Sequence, residues 1–238
     1  MKELDMSRYK PFKVYEGIET RKINERRMGW VDFKPQRYGP FLTRAIKEDK
    51  EEFEKTADMF KRSFPELYGT LYDFLLYPEQ YPAILGDGEV FLKGEWFLFV
   101  TEDGRLNKII SGILFRMIPQ NMAIELSVGA HDPEYRVKGL GKFNVRLFDN
   151  WMKRCGAEYA YTFLYTAHTA SQKMMREAGF VPVGIMPGFI AAWCGNDSYN
   201  RASVVYAQKF YNGAEKMVPE GMELTPEAKK LWDVISTF

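Results

Sequence analysis

Histidine and cysteine are scarce in this chain, with two of each among 238 residues. Cys155 and Cys194 form no CxxC pair, and His131 and His168 are too few for a His-rich ligand cluster. A metal centre is therefore not expected. Surplus charge of either sign is missing too. Lys+Arg 33 against Asp+Glu 32 leaves a net charge of +1. That lacks the basic excess of an electrostatic nucleic-acid binder, so no nucleic-acid partner is expected. Long hydrophobic runs are also lacking. Trp96 to Val100 is purely apolar but far too short to span a bilayer. The first residues, Met1-Lys2-Glu3-Leu4-Asp5-Met6, have no apolar core of a secretory signal. No membrane partner is expected, and reduced thiols in a cytoplasmic setting are the expectation.

What the chain has in quantity is aromatic: 18 Phe, 14 Tyr and 5 Trp. The expected use of most of them is a large core. A hydrophobic fraction of 46% and a charged fraction of 27% are those of a globular domain. They exclude disordered, collagen-like and disulfide-stapled classes.

Residues 1–40 are polar and broken by Pro11, Gly17, Gly29, Pro35 and Gly39, and read as an arm packed on the main body. From Phe41 the pattern sharpens. Phe41 to Ile46 reads as a strand, and Lys47-Glu48-Asp49 opens a helix whose apolar residues Phe53, Ala57, Phe60 and Phe64 keep helical spacing. Pro65-Glu66 is expected to start a second helical stretch, with Leu67, Leu71 and Leu75 on one face. Three strands follow, Glu95 to Glu102, Asn107 to Ile118 and Met122 to Ala130. Asp103-Gly104 and Pro119-Gln120-Asn121 turn the chain between them, which predicts an antiparallel meander.

A helix is predicted from Gly139 to Cys155, with Leu140, Phe143, Leu147 and Trp151 as its buried stripe. Glu158 to Tyr165 is a strand. Thr169-Ala170-Ser171-Gln172 reads as a capping box for a helix ending at Gly179. Phe180 to Met186 and Ser203 to Phe210 are the last strands, with Pro187 to Ala202 expected as a loop. Thr225-Pro226-Glu227 starts a helix in the tail, residues 212–238. The order predicts an α/β fold, a mixed sheet with helices on both faces, occupying residues 41–211.

The segment with most chemical content is Arg136-Val137-Lys138-Gly139-Leu140-Gly141-Lys142, between a predicted strand and a predicted helix. Gly139 and Gly141 let an anion approach the backbone, and the open N–H groups of the helix start can hold it. Arg136, Lys138 and Lys142 add positive charge there. A P-loop is excluded, because Gly141-Lys142 is followed by Phe143 and position 136 is Arg. A dinucleotide fingerprint is excluded, because Asn144 stands where the third glycine belongs.

Tyr135-Arg136-Val137-Lys138-Gly139-Leu140-Gly141 resembles the acetyl-CoA pyrophosphate motif of the GCN5-related N-acetyltransferase (GNAT) superfamily. His168 to Phe180 looks like that family's later helix, which usually begins with Asn and ends in Gly-Phe. The resemblance covers about residues 41–211. It implies a mostly antiparallel sheet splayed at the cofactor site, acetyl-CoA or another acyl-CoA as co-substrate, and direct attack by an amine in a ternary complex. It further implies that Gly129, Ala130 and His131 pair with the pantetheine arm, and that residues 136–142 (Arg136, Val137, Lys138, Gly139, Leu140, Gly141 and Lys142) meet the pyrophosphate.

An amine attacks only when neutral, so a base is needed. Glu125 is the candidate. It interrupts the apolar run Met122-Ala123-Ile124-Glu125-Leu126 and stands 11 residues before Arg136, a spacing the resemblance shares with histone acetyltransferases. The competing reading is an outward-facing Glu on a strand with one wet face. Many members use a Tyr in the later helix as general acid. The matching residue here is Met175, which cannot donate, leaving His168 and Tyr165 as the candidates. The expected acceptor is a primary amine on a small or amino-acid-like molecule. Its site is expected near Ser63–Tyr68 and Pro187–Ala202, with Phe64, Tyr68, Phe189, Trp193 and Asp197 as lining. A longer acyl donor, a non-catalytic acyl-CoA-binding module, acetylation of protein lysines and a homodimer are alternatives the sequence leaves open.

Overall fold

The structure, a computed structural model, describes residues 17–85, 94–136, 139–219 and 222–237. Its strands are β1 Gln36–Tyr38, β2 Phe41–Ala45, β3 Trp96–Asp103, β4 Lys108–Ile118, β5 Ala123–His131, β6 Tyr159–Tyr165, β7 Val181–Gly195 and β8 Ser198–Phe210. The helices are α1 Lys50–Ser63, α2 Tyr81–Leu85, α3 Leu140–Arg154, α4 Ala170–Glu177 and α5 Pro226–Ile235. The strands join in one sheet of spatial order β1-β2-β3-β4-β5-β6-β8-β7. Every neighbouring pair is antiparallel except β5 and β6. That pair is parallel because α3 carries the chain back across the sheet, the connection a parallel pair needs.

The sheet is covered on both faces, and β3 shows why its sequence is an unbroken apolar run. Phe97 and Phe99 enter one core with Phe148, Trp151 and Met175, while Leu98 and Val100 enter the other with Phe53, Phe60 and Leu75. Both faces of that strand are buried, so no polar alternation survives. On one side lie α3 and α4; on the other lie α1 and the segment 65–85.

α1 forms where the sequence predicts it. Asp49 caps it by accepting the Glu52 amide at 3.0 Å, and Pro65 follows its last turn. Glu52 is buried because it forms a two-pronged pair with buried Arg44, at 2.6 and 2.8 Å.

Four expectations need correction. In α3 the buried apolar residues are Leu140, Val145, Phe148, Trp151 and Met152, while the predicted Phe143 and Leu147 are only half buried. The stretch after Pro65 is a chain of 3-10 turns, Pro65–Leu67, Asp73–Leu76 and Pro78–Gln80, and not a continuous helix. Leu71 is 68% exposed, so it shares no face with buried Leu67 and Leu75. Gly69 in the left-handed region and Pro78 both break the helical path. Thr169 does not cap α4 with its side chain. Gln172 instead turns its amide back to the carbonyls of Tyr165 (3.3 Å) and His168 (3.2 Å). Residues 187–202 are not a loop: they belong to a long β7–β8 hairpin. Its two-residue turn is Asn196-Asp197, with φ of +49° and +54°, the paired left-handed geometry that matches strand twist.

The segment before β1 contributes to the core. Trp30 stacks on Trp151 with ring centroids 5.2 Å apart, and its indole N–H donates to the Gly94 carbonyl at 2.7 Å. Trp151 in turn donates to the Val31 carbonyl at 2.9 Å. Replacing Trp30 with Ala removes a buried ring from a packed cluster and is expected to cost about 3–5 kcal/mol. The check is chemical denaturation; an unchanged midpoint would show that this segment is dispensable to the core.

Candidate active site

The feature that organises the site is a parting of two strands. β5 and β6 are in register only from Ala123–Tyr159 to Leu126–Thr162. Beyond that point β5 continues to His131, paired with β4 alone, and β6 continues to Tyr165, paired with β8 alone. At the same point β5 carries an extra residue. Leu126 faces Phe115 and Val128 faces Leu114, leaving Ser127 as a bulge. The β6-facing edge of β5 past Leu126 is thus without a strand partner among the described residues. Gly129 lies on this stretch with nothing within 4 Å of where a side chain would begin. Ala130 is buried in the α1-side core.

The N-terminus of α3 opens beside this gap. Gly139 is its N-cap at φ +78°, and a Cβ there would lie 3.1 Å from the Tyr38 hydroxyl. A Cβ on Gly141 would lie 2.8 Å from Met174 Sδ and 3.2 Å from His131 Nε2. Side chains at either position would be strained or crowded, so the first turn of α3 presents backbone. Open amides and the helix dipole make that turn a place for an anion. Leu140 is buried with Phe41, Ile110 and Tyr135, so its part in the turn is structural and main-chain. Arg136 donates to the His131 carbonyl at 3.3 Å and to the Ser63 carbonyl at 2.9 Å, tying the loop to the end of α1. Lys142 pairs with Glu177 on α4 at 2.6 Å, both half exposed. Val137 and Lys138 lie outside the described residues.

Glu125 faces the α1 side and is buried, 5% exposed, which overturns the wet-face reading. Its two carboxylate oxygens accept from two phenols, Tyr72 at 2.6 Å and Tyr161 at 3.1 Å. Burial pushes the Tyr72 phenol above its ordinary range, and the Glu125 carboxylate adds to the effect. Tyr161 is raised the same way, by burial first and then by Glu125. Both phenols therefore stay protonated donors at neutral pH. Arg116, the register partner of Glu125 on β4, is engaged by Glu95 at 3.1 Å and lies over the Trp96 ring. Among the described residues no group of His, Cys, Asp and Glu is arranged to hold a metal ion.

A model of the acetyltransferase (GNAT) family matches residues 53–180, more than half of the chain. The chain belongs to the GNAT family of acetyltransferases. The solved structures it resembles agree in fold. A ribosomal-protein-S5-alanine acetyltransferase from Vibrio fischeri aligns with a TM-score of 0.61 at 18% identity, over 76% of this chain and 98% of that one. A probable GNAT acetyltransferase from Chromobacterium violaceum aligns with a TM-score of 0.59 at 14% identity, over 81% and 93%. A mutant spermidine N-acetyltransferase from Vibrio cholerae gives 0.56 at 15% identity, over 76% and 98%. No curated protein matches this chain.

In this GNAT domain the other predicted residues fall as follows. Tyr165 ends β6 with its ring against Phe64, centroids 5.2 Å apart. Its phenol is pushed up to about 12 by burial, with Glu66 adding to the shift. His168 lies exposed in the turn before α4, and its carbonyl serves Gln172. Met175, where the resemblance leads one to look for a Tyr, is buried in the α3-side core. Tyr68 meets Trp193 edge-on at 6.4 Å, which joins the turn after α1 to β7. Phe189 stacks on Phe163 at 5.1 Å, and Asp197 lies in the hairpin turn.

Sequence reasoning missed Tyr72 and Tyr161. The alternation in Tyr159-Ala160-Tyr161-Thr162-Phe163-Leu164-Tyr165 is a signal that places Tyr161 on one face of its strand. Nothing local marks Tyr72, whose position depends on the path of the 3-10 turns.

His131 packs beneath Gly141, and its Nδ1 is buried with no hydrogen-bond partner among the described residues. Burial pushes its imidazole down to about 4, with Arg136 adding to the effect. The unfolded chain takes up that proton near pH 6.5, the folded one only near 4. Between these values the unfolded state holds more protons, so stability falls as pH drops through the window. A denaturation midpoint followed against pH is expected to decline from about 6.5 to about 4, and His131→Asn to flatten that decline. An equal decline in both proteins would assign the acid sensitivity to other groups.

Proposed function

We propose that this chain moves the acetyl group of acetyl-CoA to a primary amine on a small molecule or amino-acid-like acceptor, by direct attack in a ternary complex. The observation that carries the reading is the coincidence of three features at one place: the parting of β5 from β6, the bulge at Ser127, and the buried Glu125 carboxylate with its two phenol donors.

The residues fit acetyl-CoA on a structural criterion. Gly139 and Gly141 leave a cradle that a Cβ would crowd, at the start of a helix. Backbone amides there would hold the pyrophosphate, and Gly129, Ala130 and His131 would pair with the pantetheine arm along the free edge of β5. When bound, acetyl-CoA supplies a thioester carbonyl. A β5 amide near the bulge would stabilise negative charge developing on its oxygen. Glu125 would take the proton of the incoming ammonium, directly or through water. Its phenol partners fix the direction of the carboxylate and donate to both of its oxygens. Tyr165, protonated at neutral pH, is the better-supported donor to the leaving thiolate, since its ring lines the parted end of β6 whereas His168 lies exposed in the turn beyond.

No helix among the described residues is long and apolar enough to cross a membrane. The edge strand β7 and its partner expose Ile185 (69%) and Tyr199 (69%), which supports a homodimer through the last two strands.

The test is free-thiol release from acetyl-CoA with a panel of primary amines, with Glu125→Gln in parallel. Release is expected to depend on acceptor and to fall about 100-fold or more in the variant, with acetyl-CoA affinity kept within a few-fold. Undiminished turnover in the variant would remove Glu125 from the role of base.

A further inference from the structure

We infer that the acceptor is an amine carried on an aromatic group and lacking a carboxylate; this rests on the acetyltransferase reading above. On β6, Ala160, Thr162 and Leu164 are buried against the α3 side, whereas Tyr159, Tyr161, Phe163 and Tyr165 alternate onto the α1 side and stay only half buried. They form a ledge of rings. Tyr159 and Tyr161 have centroids 6.0 Å apart, and Tyr161 and Phe163 5.8 Å apart. Phe189 on β7 stacks against Phe163 at 5.1 Å and 29°, and Tyr206 on β8 flanks it at 5.4 Å, widening the ledge across three strands.

Glu125 stands at the edge of this ledge, directly opposite Tyr161 in register and bonded to its hydroxyl. One carboxylate beside several π faces is complementary to an ammonium joined to a flat apolar body. The charges disfavour the other classes of amine. A polyamine is matched by acidic groups in a row, whereas rings separate the two acids near this ledge, Glu125 at its edge and Glu66 beside Tyr165. A free amino acid brings a carboxylate that Glu125 repels, and Arg116, the register partner of Glu125 on β4, is already held by Glu95 and the Trp96 ring.

The experiment compares phenethylamine, phenylalanine, butylamine and spermidine as acceptors for acetyl-CoA, in the full chain and in Phe163→Leu. Leucine keeps the apolar volume and removes the ring, and a circular-dichroism melt verifies that the variant folds. Phenethylamine is expected to exceed each of the other three at least tenfold in kcat/KM. Phe163→Leu is expected to erase most of its advantage over butylamine through KM. Preference for spermidine or phenylalanine, or equal loss for phenethylamine and butylamine in the variant, overturns the inference while leaving the acetyltransferase reading in place. Thiol release with none of the four amines overturns both.

Discussion

β5 and β6 share hydrogen bonds from Ala123–Tyr159 to Leu126–Thr162 and then separate, and the remaining geometry follows from how that separation is held. Each strand is committed elsewhere. β4 holds β5 out to the Ser111–His131 position, and β8 holds β6 through Tyr165–Val204. The bulge at Ser127 bends β5 as it leaves its parallel neighbour. A gap of this kind leaves main-chain donors and acceptors without partners, which is costly when dry. It persists because the cores on the two faces fix both strands from above and below. The same gap lies next to a helix start with open amides and beside the buried Glu125 carboxylate, the features on which the proposed reaction rests.

The buried polar groups around the gap reinforce its shape. Arg136 reaches the carbonyls of Ser63 and His131, so the loop before α3 is tied to the last turn of α1. Behind it, Asp132 is buried and holds Lys108 at 3.0 Å and Arg62 at 3.2 Å. Thr43, Thr101 and Asn144 form a buried hydrogen-bonded trio that fixes α3 to β2 and β3. These contacts tie the α3 end of the cleft to the strands beneath it, which is the rigidity that positioned chemistry requires.

Much of this was legible in the letters. Strands β3 to β6 and helices α1, α3 and α4 follow from periodicity, and the Arg136–Lys142 segment follows from glycine and charge at a strand-to-helix junction. Two stretches were illegible for different reasons. Leu67, Leu71 and Leu75 imitate a helical stripe, but Gly69 and Pro78 give the backbone another path, and spacing carries no record of that competition. In residues 187–202, Pro187, Gly188 and Gly195 obscured a strand that its cross-strand partner enforces. Glu125 was visible as an interruption in an apolar run. Its burial and its two phenol partners were not, because Tyr72 arrives from 53 residues upstream by an irregular route.

The two sides of the cleft are made of different material. One is the main chain: the open edge of β5 and the first turn of α3, where glycines keep side chains out. The other is side chains displayed on the 3-10 turns, on β6 and on the outer hairpin, including Tyr72, Phe163, Phe189 and Trp193. A peptide amide is present whatever residue carries it, so the chemistry offered by the first side is insulated from most single substitutions. The surface offered by the second side changes with each ring that is altered. Mutational drift in such a molecule has room to reshape one wall while the other stays fixed.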